Sequence, residues 1–437
     1  MAAFGGMYLT EGLPQGFAGV ALTLEFKRRG MDAAAIGAFS GMILLPWSWK
    51  FLVGPLVDNL HIKRFGARKQ WIVMAQTGIL LMVALALMNM PTFTDGGAVG
   101  LGLFTTLMVI MNIFAATQDV AIDALACQVL KPQERGLANG IMFGAAQAGN
   151  AIGGSGVIAL KGLTGSFELS SLLVPLLLIL ILTAIIAFVC EQSAAQEMAE
   201  GELAAPEPGD HGLTAARDQI CDYVITVGKT IFGSRNGLLG LVLALLPCGG
   251  MALSMVVTTI ISPVLGMTDK EIATLNLIST LIWVPCCLCG GWLSDRFGRK
   301  QTLSLFAFCS ALPGLWIGWQ FHQAGWTHPP EGVDGVWPRA ETLITLWWIA
   351  SFVFSVFNGL MFGIRTAFFM DIVNPKIAAT HFTALMAMTN LVISFTWFWQ
   401  GKAISGEAWN WTLWQILLVD SVLGLLFLAV IPFIKLH

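Results

Sequence analysis

Along the chain one pattern recurs: an apolar run of about twenty residues, then a short polar stretch. About twenty helical residues, rising ~1.5 Å each, cross the ~30 Å hydrocarbon core of a bilayer. The pattern therefore predicts twelve membrane-crossing helices, at approximately 3–26, 33–57, 71–91, 98–129, 136–160, 169–190, 236–262, 269–293, 301–321, 342–370, 377–400 and 410–434. Barrel strands would alternate over ~10 residues, so a β-barrel is excluded and the fold class is all-α and polytopic. One long polar stretch interrupts the series and contains "EQSAAQEMAEGELAAPEPGDHG". Its Glu, Ala, Pro and Gly content predicts a flexible linker with some helix. The expected organisation is a six-helix bundle over 1–190, a cytoplasmic linker over 191–235 and a second six-helix bundle over 236–437.

Composition agrees. Apolar residues make up 56% of the 437 and charged residues 11%, less than half of the ~25% usual in soluble proteins. The mean hydropathy is +0.75. A net charge of −3 without any long basic block gives no footing for nucleic acid. The cysteines fall mostly in apolar segments and read as small buried residues, and "PCCLCGG" (285–291) lacks the companions of a metal site. Neither a metal nor a cofactor is expected. The opening "MAAFGGMYLTEGLPQGF" has no basic leader and reads as a retained first helix. Lys and Arg gather in "HIKRFGARK" and "RFGRK", which places both termini in the cytoplasm, with "KRRG" (27–30) as the exception. The sixteen Trp read mostly as interfacial anchors.

The two halves echo each other. "GPLVDNLHIKRFGARK" (54–69) follows the second helix and "GGWLSDRFGRK" (290–300) the eighth; "DALACQVLKP" and "TAFFMDIVNP" follow the fourth and tenth. A repeated six-helix unit is what alternating access needs. "GWLSDRFGRK" also resembles the loop motif G-x-x-x-D-R-x-G-R-K of the major facilitator superfamily, in full in the second half and more loosely in the first. That resemblance implies two pseudo-symmetric six-helix bundles around a cavity lined by helices one, four, seven and ten. It also implies a cytoplasmic gate network from Asp58, Arg68, Arg135, Gly291, Asp295, Arg296, Gly298, Arg299 and Lys300. "EGLPQGF", "IGAFSGMILLPWSWKFLVGPLVD" and "ATQDVAIDA" are similar to the branch of AmpG-type muropeptide permeases and acetyl-CoA transporters, with siderophore permeases as near relatives.

The candidate chemistry starts from Asp119 and Asp123, four residues apart on one face of helix four near mid-membrane, where each costs ~2.5–3.5 kcal/mol on insertion scales. Asn112 extends the stripe and Gln118 adjoins it. Two readings stand: the acids face a wet cavity and bind, pair or titrate, or they hydrogen-bond neighbouring helices as structure. Arg365 lies at similar depth on helix ten, which the resemblance places opposite helix four. It suits a substrate carboxylate or phosphate, or locks the halves by pairing with Asp119. Asn358 shares its face. Helix one presents Tyr8, Glu11 and Gln15 as a stripe, with Glu11 a candidate for proton coupling or a residue that simply reaches water. Lys50 either snorkels to the interface or meets an intramembrane carboxylate. Gln147 and Asn150 line one face of helix five, whose Gly136, Gly140 and Gly144 fit close helix packing. Asp420 in helix twelve has no evident partner.

No G-x-x-x-x-G-K-[ST] loop and no nucleophile–base spacing appears, so neither an ATPase nor an enzyme is expected. The leading expectation is a monomeric secondary transporter in a bacterial inner membrane, with a small solute and protons as partners. A muropeptide-like fragment ranks ahead of a siderophore and an acyl-CoA. The alternative is a non-transporting scaffold or assembly factor on the same fold.

Overall fold

The structure, a computed structural model, describes residues 2–60, 66, 68–94, 97–129, 135–188, 212–254, 256–330, 335–372, 378–406 and 408–434. Twelve crossings follow the expected order. Helix one runs Ala2–Gly16, passes through a π segment at Phe17–Leu22 and ends at Thr23–Arg28. Helix two is α-helical over Ala33–Leu44, tightens to 3₁₀ at Leu45–Ser48 and Lys50–Leu52, and resumes at Gly54–Asn59. Helix three (Lys69–Met88) and helix four (Leu101–Val129) flank a small hairpin, Thr92–Thr94 with Gly97–Val99. Helix five is Arg135–Ala151, a second π segment Ile152–Gly156, and Val157–Thr164; helix six is Phe167–Ser171 and Leu173–Phe188. Helices eight to twelve cover Asp269–Phe297, Arg299–Gln323, Glu341–Ile372, Ala378–Ile404 and Leu413–Val430. Among the described residues eight helices are long and apolar enough to cross a bilayer by themselves. Helices one, five and seven, which are interrupted, and helix eleven complete the twelve.

One expectation gains detail and one needs correction. The helical part expected within the linker stretch includes Gly212–Phe232. It packs against the end of helix two, the start of helix seven and helix eleven, so it touches both halves on the face that carries the chain termini. The seventh helix, expected unbroken over 236–262, stops at Arg235–Ala244 and resumes at Val256–Val264.

The unwound stretch is held by Asp420, which thereby gains partners. Its Oδ2 accepts from the backbone N–H of Met251 at 2.7 Å and Ala252 at 2.9 Å, and its Oδ1 from Gln400 Nε2 at 2.8 Å. Gly249 takes a left-handed φ of 66° and donates its N–H to the Gly424 carbonyl at 3.3 Å. A Cβ on Gly424 would stand 1.8 Å from the Gly249 oxygen, so only glycine admits this approach. Irregular backbone at membrane depth survives only where protein satisfies it.

Close helix approach is set by glycine elsewhere too. A Cβ on Gly12 would meet the Ala146 oxygen at 1.9 Å and one on Gly16 the Asn150 oxygen at 2.0 Å, joining helix one to helix five. Of the glycines expected to pack closely, Gly144 has open space around it, and Gly136 and Gly140 lie outside the described side chains. Between the halves, Gly37 of helix two faces the Trp397 carbonyl and Gly401 of helix eleven.

At the face opposite the termini, an ionic cluster spans the halves. Arg28 pairs with Asp269 at 2.7 Å and Lys161 lies 3.8 Å from the same carboxylate. Glu25 takes Lys161 at 2.6 Å and Arg29 at 2.7 Å, and Arg29 also reaches Glu168 at 2.5 Å. The "KRRG" exception to the charge rule therefore sits among carboxylates. Replacing Asp420 with Leu strands two buried backbone donors at ~1–3 kcal/mol each. Asp420→Leu is expected to cost about 3 kcal/mol, read as a lowered unfolding midpoint in detergent, whereas Asp420→Asn keeps an acceptor and loses less.

Candidate functional site

Two layers of polar groups occupy the interior. The first, towards the terminal face, is charged. Helix four carries Asp119 and Asp123 one turn apart, and helix one brings Tyr8 and Glu11 one turn apart against them. Tyr8 donates its hydroxyl to Asp123 Oδ1 at 2.5 Å, with Asp119 Oδ1 at 3.4 Å. Lys50 donates to Asp119 Oδ2 at 2.7 Å and lies 5.7 Å above the Trp47 ring. Glu11 is buried beside Asp119, Asp123 and Lys50; Gln15 donates to its Oε1 at 3.4 Å, while its Oε2 has no hydrogen-bond partner among the described residues. Three carboxylates thus surround one ammonium.

Of the two readings open for Lys50, pairing with an intramembrane carboxylate is the one found: its partner is Asp119. The lysine gets there where helix two tightens to 3₁₀ around Pro46, from which both Trp47 and Lys50 reach helix four. Trp47 Nε1 donates to Asn112 Oδ1 at 2.9 Å. Arg365 is buried on helix ten, its guanidinium 5.0 Å over the Phe362 ring, with no partner for Nε among the described residues. Gln118 faces away from the acids and fixes helix packing, donating to the Met7 carbonyl at 3.1 Å and Thr10 Oγ1 at 2.9 Å.

The second layer is a cavity of about 280 Å³ lined by helices one, five, seven, eight, ten and eleven. It brings together Gln147, Asn150 and Asn358 with a set of hydroxyls that includes Ser155, Thr280, Ser351 and Ser355. Trp283 and Trp397 add aromatic faces, and among the described residues no charged one lines it. Asn358 accepts from Trp283 Nε1 at 2.9 Å, fixing that indole, whose ring lies 5.1 Å from Phe362. Helices one, seven and ten line it as expected, while helix four contributes none of the described lining residues, so the acids sit outside this cavity. Ser351 and Ser355 extend the face of the expected Asn358 at helical spacing.

Of the gate residues, Arg299 pairs with Asp371 at 3.0 Å, Lys300 donates to the Ile434 carbonyl, and Gly298 turns at φ 90° between helices eight and nine. Gly291 lies within helix eight, and Arg296 stacks 5.7 Å from Trp292. Arg68 precedes helix three. The side chains of Asp58, Arg135 and Asp295 lie outside the described residues.

Twelve crossings, two bundles and interior polar layers define a membrane solute transporter. Residues 4–397 match the family described as Major Facilitator Superfamily, and the chain belongs to it. It is 25% identical over 434 residues to the anhydromuropeptide permease of Escherichia coli (strain K12), covering 96% of this chain and 77% of that protein. It is 23% identical over 409 residues to a Rickettsia conorii protein named as transporter AmpG 4, covering 92% and 89%. Among solved structures it is similar to the D-xylose-proton symporter, with a TM-score of 0.69 at 13% identity over 99% of this chain and 96% of that one. The nucleoside transporter NupG gives 0.65 at 12% identity over 98% of each. These relatives are transporters rather than enzymes, and this chain is an AmpG-like integral membrane transporter.

Removing one member of a buried pair leaves an uncompensated charge and costs ~3–5 kcal/mol. Lys50→Met is expected near the lower end, about 3 kcal/mol, because Lys50 keeps some exposure. In the double variant Lys50→Met/Asp119→Leu more than half of the lost unfolding midpoint should return, measured by thermal denaturation in detergent.

Proposed function

We propose that the protein is a proton-coupled importer of an anhydromuropeptide-like cell-wall fragment, working as a monomer by alternating access in a bacterial inner membrane. On this reading both termini are cytoplasmic, and 1–190 and 236–437 are the moving units joined by 191–235. The observation that carries it is the cluster of Glu11, Asp119 and Asp123 around Lys50 with Tyr8. Three interior carboxylates sharing one ammonium need countercharge, and a proton supplies it with the least reorganisation. A scaffold has no use for such a set.

The cavity supports the solute class. Amides and hydroxyls around two indoles suit sugar hydroxyls and the amides of N-acetyl and peptide groups. The uncharged lining is a poor match for the several phosphates of an acyl-CoA. Arg365, two turns from Asn358 along helix ten, offers a cation to a solute carboxylate once its packing on Phe362 opens. The far-face cluster of Arg28, Lys161 and Asp269 closes one entrance, and Arg299–Asp371 belongs to the gate at the other.

The test is uptake into proteoliposomes under an inward proton gradient, offering muropeptide, ferri-siderophore and acetyl-CoA separately. Gradient-driven accumulation of muropeptide, abolished in Asp119→Asn, is the expected result. Accumulation of another pool would replace the solute, and no accumulation with folded protein would overturn the transport reading. The far-face gate has its own check. A partly exposed ion pair contributes ~0.2–1 kcal/mol, so losing it shifts a two-state population by up to about fivefold. Asp269→Asn should accelerate labelling of Asn276→Cys in the cavity by an impermeant maleimide to that extent, relative to protein without the added cysteine.

A further inference from the structure

The 3₁₀ segment of helix two does more than present Lys50. Its Trp47 carbonyl accepts a hydrogen bond from Asn390 Nδ2 of helix eleven, in the other half, at 3.2 Å. The same tryptophan holds helix four through Asn112, and Lys50, three residues on, holds helix four through Asp119. One short irregular segment is therefore tied to the carboxylate cluster on one side and to the opposite bundle on the other. Towards the far face, the two helices are locked by Gly37 against Trp397 and Gly401, and by Gly41 against Phe398. At Pro46 the regular helix ends. The segment is the first place below that lock where helix two can bend, and Asn390 grips it there.

We propose that Asn390 is a positioning residue that transmits the state of the Lys50–Asp119 pair to the second half through the Trp47 carbonyl. This rests on the transport reading given above. The charged and titratable groups facing Asp119 are Lys50 from helix two, Tyr8 and Glu11 from helix one, and Asp123 from its own helix. When Asp119 loses its charge, Lys50 leaves it and turns to Glu11 on helix one or to Asp123, one turn further along helix four. The 3₁₀ segment shifts with it, and Asn390 draws helix eleven along. Without the amide donor the segment moves alone, and the bundles no longer sense the site.

The experiment needs no solute. Nitroxide labels are placed at Trp49→Cys and Phe395→Cys, both exposed, in the full chain cleared of native cysteines and reconstituted in lipid. The distance distribution is measured by electron–electron double resonance. Asp119→Asn is expected to shift the distribution when Asn390 is present. In Asp119→Asn/Asn390→Ala the coordinated shift is lost and the distribution broadens. Asn390→Leu, nearly isosteric but without the donor, repeats the test should the alanine variant fold poorly, and Asn390→Gln should restore the shift. An equal shift with and without the amide, or no shift in Asp119→Asn at all, overturns the proposal. A shift that depends on Asn390 in a protein that accumulates none of the three solutes would leave this inference standing and remove the transport reading instead.

Discussion

The ion pair between Lys50 and Asp119 is the contact around which the first half is arranged. A lone charge at membrane depth is expensive, and the two lower that cost together at 2.7 Å. To bring them within reach, helix two abandons α-geometry at Pro46, and that irregularity also turns Trp47 onto Asn112. Helix one then supplies Tyr8 to the remaining carboxylate oxygens, which requires it to lie close against its neighbours. The glycines that let it approach helix five, Gly12 and Gly16, follow Tyr8 by one and two turns. The placement of one ammonium group thus reaches into the backbone form of helix two and the packing of helix one.

The second half meets the same constraint differently. Asp420 is answered by two backbone N–H groups and an amide, and those donors exist because helix seven has unwound. Arg365 lies over an aromatic ring. The halves repeat a topology without repeating their electrostatics: a charged pair with acids left over in one, neutral donors around a single acid in the other. On the proposed reading this asymmetry assigns proton handling to the first half, and most of the cavity's amide and hydroxyl lining to helices seven, eight and ten.

Much of this was legible along the chain. Apolar periodicity gave the crossings, because a helix in lipid must be apolar over its whole length whatever its neighbours are. Asp119, Asp123 and Glu11 stood out for the converse reason. The partners did not. Lys50 pairs with Asp119 across 69 positions of sequence, and whether a lysine snorkels or pairs depends on a turn of 3₁₀ geometry that Pro46 permits without dictating. The break in helix seven had a local trace in "PCGG", but Asp420, the group that makes the break tolerable, lies 169 and 168 residues from the backbone atoms it caps. The helix Gly212–Phe232 was legible only as some helix within a linker, since the Pro- and Gly-rich run before it leaves its bounds unmarked. Asn358 stood out on helix ten, whereas Ser351 and Ser355 on the same stripe did not, because serine hydroxyls are common in helices and satisfy themselves on the preceding turn.

Separating the charged cluster from the uncharged cavity raises a physical question of its own, since a coupled carrier must join the two. Helix one runs through both. Tyr8 and Glu11 stand in the cluster, Gly19, Val20 and Leu24 line the cavity, and the π segment Phe17–Leu22 carries the first two of these lining residues. Against it packs the π segment of helix five, which carries Ser155 into the same lining. A π turn widens the helix and weakens its local hydrogen bonding, and such turns concentrate at functional sites. Two of them side by side place the most deformable stretch of both helices at the boundary between the layers. Charge added or removed at Glu11 can then change the cavity wall by rotating one turn of helix one, without a rigid displacement of the whole bundle. Helix two offers the complementary route, outward to the opposite half, so the cluster is positioned to act on the cavity and on the interface through different helices.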